Sequence, residues 1–186
     1  GSNQMFATAL FVLVQSATPL GSPVDPVLMP SKPKAKAAAS EVQPAPAEPV
    51  DPKEARFYNC VDLAIDDPAG AIVEANSWRI QGGGFLARHC LGFAHAEQQS
   101  WPAATKAFAE AAQEAEVARD ERAAQFWAQA GNAALAGGEF PKALEYLNAA
   151  LVQGSLEGLA KGEVHLDRAR AHVALDNYDA AKAEFA

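Results

Sequence analysis

The stretch GNAALAGGEFPKALEYL, residues 131–147, decides how the chain is read. Two structures compete for it: a glycine-rich loop that cradles a phosphate, or the turn between two packed helices. A phosphate loop needs G-x4-G-K-[ST], with the lysine and hydroxyl directly after the last glycine and a strand before it. Here Gly137-Gly138 runs into Glu139-Phe140-Pro141, and the residues before it carry helical periodicity. The turn reading accounts for every feature. Gly131 is a close contact between helices, Gly137-Gly138 is the turn, and Pro141 sits in the first turn of the return helix, where a missing N–H costs little. Lys142 is then an exposed side chain on that helix.

The same pattern recurs along the chain. A small residue, Gly92 or Gly131, is followed nine residues later by an aromatic, Trp101 or Phe140. Alanine comes three residues on (Ala104, Ala143), a large apolar residue four further (Phe108, Leu147), and another alanine three after that (Ala111, Ala150). A third copy runs through Ala169, Tyr178, Ala181 and Phe185, and the copies are spaced by 39 and 38 residues. Small residues let two antiparallel helices approach closely, and the alanine and large apolar residue form the seam of the second helix. One hairpin cannot bury its apolar face alone, so such units stack.

These residues resemble the tetratricopeptide repeat, W-x2-L-G-x2-Y…A-x3-F. In the first copy Leu91, Gly92, Ala104 and Phe108 match, with Arg88 and His95 in the outer aromatic slots. In the second, Trp127, Gly131 and Ala143 match, while Ala130, Ala134 and Leu147 are substitutions. In the third, Ala169, Ala181 and Phe185 fit, with Arg168 in the leucine slot. The resemblance implies an all-α fold of antiparallel helix hairpins stacked as a TPR-like solenoid over 54–186. It would comprise a degenerate hairpin at 54–80, carrying Ala71, Ala75 and Trp78, and repeats at 85–118, 124–157 and 162–186. The spacing exceeds the family's usual period of about 34, with the extra length in the second helix through EAEVARDER, residues 114–122. Because the last copy stops within its second helix, the chain reads as a fragment or as one whose end is covered by another chain.

Alanine-rich periodicity predicts helices over 54–66, 69–80, 85–99, 102–118, 121–137, 141–153, 160–175 and 179–186. Alternating β-branched runs are lacking, so no sheet is expected. Residues 1–18 look like a secretory signal, with an apolar run from Phe6 to Val14 too short to span a bilayer as a helix. No Lys or Arg precedes it, so an uncleaved anchor and a non-targeting start stay open beside a cleaved signal. Residues 19–53 hold nine of the twelve prolines and read as a disordered Pro/Ala/Lys-rich linker. The expected compartment is periplasmic or extracellular, and any membrane contact would be made through the N-terminal segment.

The net charge is −8, and all of it falls on 54–186, where 11 basic side chains face 19 acidic ones. An acidic domain with no basic stripe argues against nucleic acid. Neither Cys-x-x-Cys nor zinc-like His/Cys spacing occurs. His89, His95, His165 and His172 form no i,i+4 pair with a glutamate base, and His95, His165 and His172 fall in aromatic slots of the repeat. Asp66-Asp67 and Asp120-Glu121 read as helix caps. Gly82-Gly83-Gly84 reads as a joint between helices. No nucleophile, base and orienter are arranged by sequence, so neither an enzyme nor a bound cofactor or metal is expected.

Two features remain. Cys60 lies one residue after Asn59, and Cys90 two before Gly92, which puts them on one face of adjacent first helices, about a turn apart. They read either as a disulfide, in an exported protein, or as two buried thiols. A closed loop of about 30 residues would add about 3.6 kcal/mol in chain-entropy terms. The second feature is a groove. In tetratricopeptide proteins the first helices line a concave surface that binds peptides. By register this surface would be Leu86, His89, Phe93, Ala96 and Glu97, then Ala128, Gln129, Asn132 and Leu135, then Glu163, Leu166, Asp167 and Arg170. Family members that clasp a C-terminal carboxylate place Lys, Asn and Arg there, and only Asn132 agrees. A mixed apolar and acidic groove suits an apolar or basic partner. The expected function is a protein-binding scaffold; the alternative is a structural or oligomerising spacer whose groove is self-filled.

Overall fold

A computed structural model of the protein describes residues 51–186; the signal-like segment and residues 19–50 of the expected linker lie outside the described residues. Eight helices follow one another: α1 (Pro52–Asp66), α2 (Pro68–Ile80), α3 (Gly84–Glu97), α4 (Trp101–Val117), α5 (Ala123–Ala136), α6 (Phe140–Val152), α7 (Gly158–Ala174) and α8 (Tyr178–Ala183). Among the described residues there is no strand. The linker boundary moves. Pro52 and Lys53 belong to α1, because Asp51 caps the helix by accepting from the Lys53 N–H at 2.8 Å and Pro52 occupies its first turn.

Each helix packs on the next in the chain, most closely along α3, α4, α5 and α6. Within each of the last three hairpins the turn is closed in the same way. The Ser100 N–H donates to His95 O and the Gln99 N–H to Ala96 O; Glu139 and Gly138 do the same to Ala134 and Leu135, and Asn177 and Asp176 to His172 and Val173. This is the paired-bond C-cap that requires one left-handed residue. Gln99 (φ 56°), Gly138 (φ 75°) and Asp176 (φ 59°) supply it. Their spacing of 39 and 38 residues repeats the spacing of the sequence motif.

The seams follow the motif as well. A Cβ added at Gly92 would lie 2.5 Å from the Phe108 ring, and one at Gly131 would lie 2.5 Å from Leu147 Cγ. Bare glycine backbone is thus what lets α3 touch α4 and α5 touch α6. The seam alanines Ala104, Ala111, Ala143 and Ala150 are fully buried. The third copy diverges. Ala169 and Ala181 are buried, but α8 ends at Ala183 and Phe185 beyond it is 66% exposed. The seam there is held instead by Glu184, whose carboxylate accepts from His165 Nδ1 at 2.9 Å and pairs with Arg168 at 3.1 Å.

The first hairpin differs too. Asn59, aligned with the small-residue slot, is exposed, and the buried side of α1 is Phe57, Cys60, Val61 and Ala64. That stripe turns α1 onto α3 as much as onto α2. Cys60 and Cys90 form a disulfide with Cα atoms 6.0 Å apart, and both residues are buried.

Candidate functional site

The first helices α3, α5 and α7 carry the residues expected to line a groove, and the structure sorts those residues by depth. His89 on α3 lies in the interior. Its ring stacks on Phe57 of α1 (centroids 5.0 Å, planes 10° apart) and meets Phe93 at 4.7 Å, Phe126 at 4.2 Å and Phe108 at 5.8 Å. Its Nε2 lies 2.5 Å from Gln129 Oε1 on α5. An amide oxygen only accepts, so Nε2 carries the proton. Nδ1 is buried without a hydrogen-bond partner. Burial in this aromatic box pushes the pKa down to about 3; the hydrogen bond to Gln129 opposes the shift, and nearby Arg122 adds to it. His89 is therefore a neutral packing residue at physiological pH.

One hairpin further, Asp167 on α7 is 2% exposed. It accepts from Asn132 Nδ2 of α5 at 3.1 Å and from the Arg170 guanidinium at 2.7 Å. Two directional polar links thus join the first helices in series, His89 to Gln129 and Asn132 to Asp167. Polar links at buried positions fix one register, because a slipped arrangement would strand a desolvated donor or carboxylate.

Of the expected groove residues, His89, Phe93, Gln129 and Asp167 lie in the interior, as do Leu86, Ala96 and Ala128. Asn132, Leu135, Glu163 and Leu166 are half-buried, and Glu97 and Arg170 are exposed. The accessible part of the first-helix face is therefore the strip from Asn132 and Leu135 to Leu166 and Arg170, where α5 and α7 touch only lightly. On the α3 side the face is covered by α1.

Sequence reasoning missed the residues through which α1 is held there. Glu54 accepts from Arg122 at 2.8 Å, and Arg122 is also clamped by Asp120 and lies over the Phe85 ring at 5.2 Å. Phe57 and Phe126 enclose His89 from two sides. Phe57 carried a signal, since it opens an i, i+3, i+4, i+7 apolar stripe with Cys60, Val61 and Ala64. Arg122 sits in a joint between hairpins and gave none. A further link, Trp127 Nε1 donating to Glu116 at 2.7 Å, ties α5 to the end of α4.

Elsewhere a groove of about 580 Å³ between α2, α3 and α4 holds Arg79, Phe85, Arg88 and Glu114. The Arg88 cation there is matched by Glu114 at 2.9 Å and Glu110 at 3.5 Å. Among the described residues no group of three or more His, Cys, Asp or Glu is placed to hold a metal ion, and no helix is long and apolar enough to cross a membrane. Compared with known proteins, the chain matches no family model and no curated protein.

Proposed function

We propose that the chain is a non-catalytic scaffold of the tetratricopeptide type, which binds a peptide or partner protein along its first-helix face. The observation that carries this reading is the half-open strip on α5 and α7. Leu135 and Leu166 offer apolar surface, while Asn132, Glu163 and Arg170 offer polar edges, on helices joined by the part-buried Asn132–Asp167 link. A rigid, mixed surface of this kind suits a segment with spaced apolar anchors. The Cys60–Cys90 disulfide favours an exported, oxidising setting, periplasmic or extracellular. The test is co-purification of the full chain from its native compartment beside Leu135→Glu and Leu166→Glu variants of unchanged helicity. A partner retained by the parent and lost from both variants is expected; a partner retained equally by all three refutes the assignment of the face.

The exposed apolar residues at the C-terminal end, Leu159 on α7, Tyr178 on α8 and Phe185 beyond it, favour a second reading, an oligomerising spacer. Sedimentation velocity separates the two. A dimer that dissociates on dilution and is abolished by Tyr178→Asp with Phe185→Asp supports the spacer, and a monomer at all concentrations supports the scaffold.

A further inference from the structure

The helix α1 is attached to the rest of the protein unlike any other first helix. Its neighbour α2 lacks the glycine-to-large interlock that closes α3 on α4 and α5 on α6, and Asn59 in the small-residue slot is exposed. What α1 buries is a stripe at i, i+3, i+4 and i+7: Phe57, Cys60, Val61 and Ala64. That spacing is how an amphipathic helix is seated in a groove formed by other helices. Two of these anchors, and the acidic residue before them, meet specific partners on α3 and at the start of α5. Phe57 stacks on His89, Cys60 is bonded to Cys90, and Glu54, one turn before Phe57, pairs with Arg122 at the start of α5.

We propose that α1 is the tethered occupant of a helix-docking seat on α3 and the start of α5, held closed by the Cys60–Cys90 disulfide. When a dithiol reduces that bond, the seat takes in trans a helix of α1's own chemistry. Such a helix carries an acidic residue, an aromatic three positions later, and small apolar residues three, four and seven after the aromatic. In the opening step the dithiol's two thiols become a disulfide, while Cys60 and Cys90 each receive one electron and one proton. Charge and shape both select the ligand. Arg122 offers a cation at the N-terminal end of the seat, and His89 with Phe126 offers an aromatic floor. This rests on the reading of the first-helix face as a binding surface and extends it to the α3 side, where the occupant is visible.

The experiment uses the full chain, oxidised and after dithiothreitol, with two readouts. Hydrogen exchange across 52–66 is expected to rise at least tenfold on reduction while the amides of α4, α5 and α6 keep their protection. A fluorescent peptide of residues 51–67 carrying Cys60→Ser is expected to bind the reduced protein saturably and the oxidised protein not at all, and its Phe57→Ala form is expected not to bind. Unchanged protection of 52–66 after reduction overturns the proposal, as does loss of protection in all helices together, because α1 is then a fixed part of the core. Absence of peptide binding to the reduced protein overturns it too. Neither readout needs a native partner, so failure of partner capture on the Leu135–Arg170 strip would leave these results standing and be recognised separately.

Discussion

His89 makes the protein acid-labile in a way that can be worked out from its surroundings. In the unfolded chain its imidazole takes up a proton near pH 6.5, whereas the folded ring, desolvated among Phe57, Phe93, Phe108 and Phe126, does so only at about 3. Above pH 6.5 neither state is protonated and His89 adds no pH dependence. As the pH falls below that value only the unfolded state gains a proton, so stability is lost until the folded ring titrates as well. The slope approaches about 1.4 kcal/mol per pH unit below that value, which gives a loss of about 2.7 kcal/mol between pH 7.5 and pH 4.5. Carboxylates contribute their own dependence, so the measurement is a difference. Urea unfolding followed by circular dichroism would be run at pH 7.5, 5.5 and 4.5 on the parent and on His89→Phe with Gln129→Leu. The second substitution replaces the oxygen that His89 Nε2 bonds. The double variant should lose about 2.7 kcal/mol less than the parent over this range. Equal losses in the two proteins would rule out His89 as the source of this acid lability, and so would a His89 ring signal that titrates near pH 6 in the folded parent.

Other expectations follow from single contacts. Gly131→Ala drives a Cβ to 2.5 Å from Leu147 Cγ and 3.2 Å from its backbone nitrogen; it should cost about 1–3 kcal/mol in chemical denaturation. Gly138→Ala meets no neighbour but forces a side chain into φ 75°, and should cost about 1–2 kcal/mol. Asp167→Ala leaves Asn132 and Arg170 without their buried acceptor; a loss of about 1–3 kcal/mol is expected, with faster hydrogen exchange concentrated in α7. Arg56→Ala removes a half-exposed pair with Glu74 and should change stability by no more than about 1 kcal/mol.

Much of the architecture was readable because the signals were local and repeated. Proline at a helix start, alanine every three or four residues and a glycine sixteen before a large apolar residue each act within one hairpin. The helix boundaries fall within two residues of the expected ones, except at the end of α8. All three hairpin turns fall where helix breaks were expected, but their left-handed residue was legible only where glycine marked it. Gln99 and Asp176 take the left-handed conformation that Gly138 takes, and a side chain there does not advertise it. The site was less legible. Register puts His89, Phe93 and Gln129 on one face, but whether that face is open depends on where α1 lies. That is set by Phe57 meeting His89 across 32 positions of sequence and by Glu54 reaching Arg122 across 68. Long-range pairings of this kind leave no periodicity behind. The register that brought Cys60 near Cys90 ran through Asn59, which the structure turns to solvent; the pairing arises from the opposite, buried side of α1.

Whether partners are recognised on the first-helix face of α5 and α7 is decided by site-specific photo-crosslinking. A photoreactive residue would be placed at Leu135, at Arg170 and, on the exposed side of a second helix, at Lys106, in the full chain within its native compartment. One discrete, saturable adduct shared by positions 135 and 170 and absent at 106 is expected. Adducts of equal yield at all three positions, or an adduct at 106 alone, would contradict it.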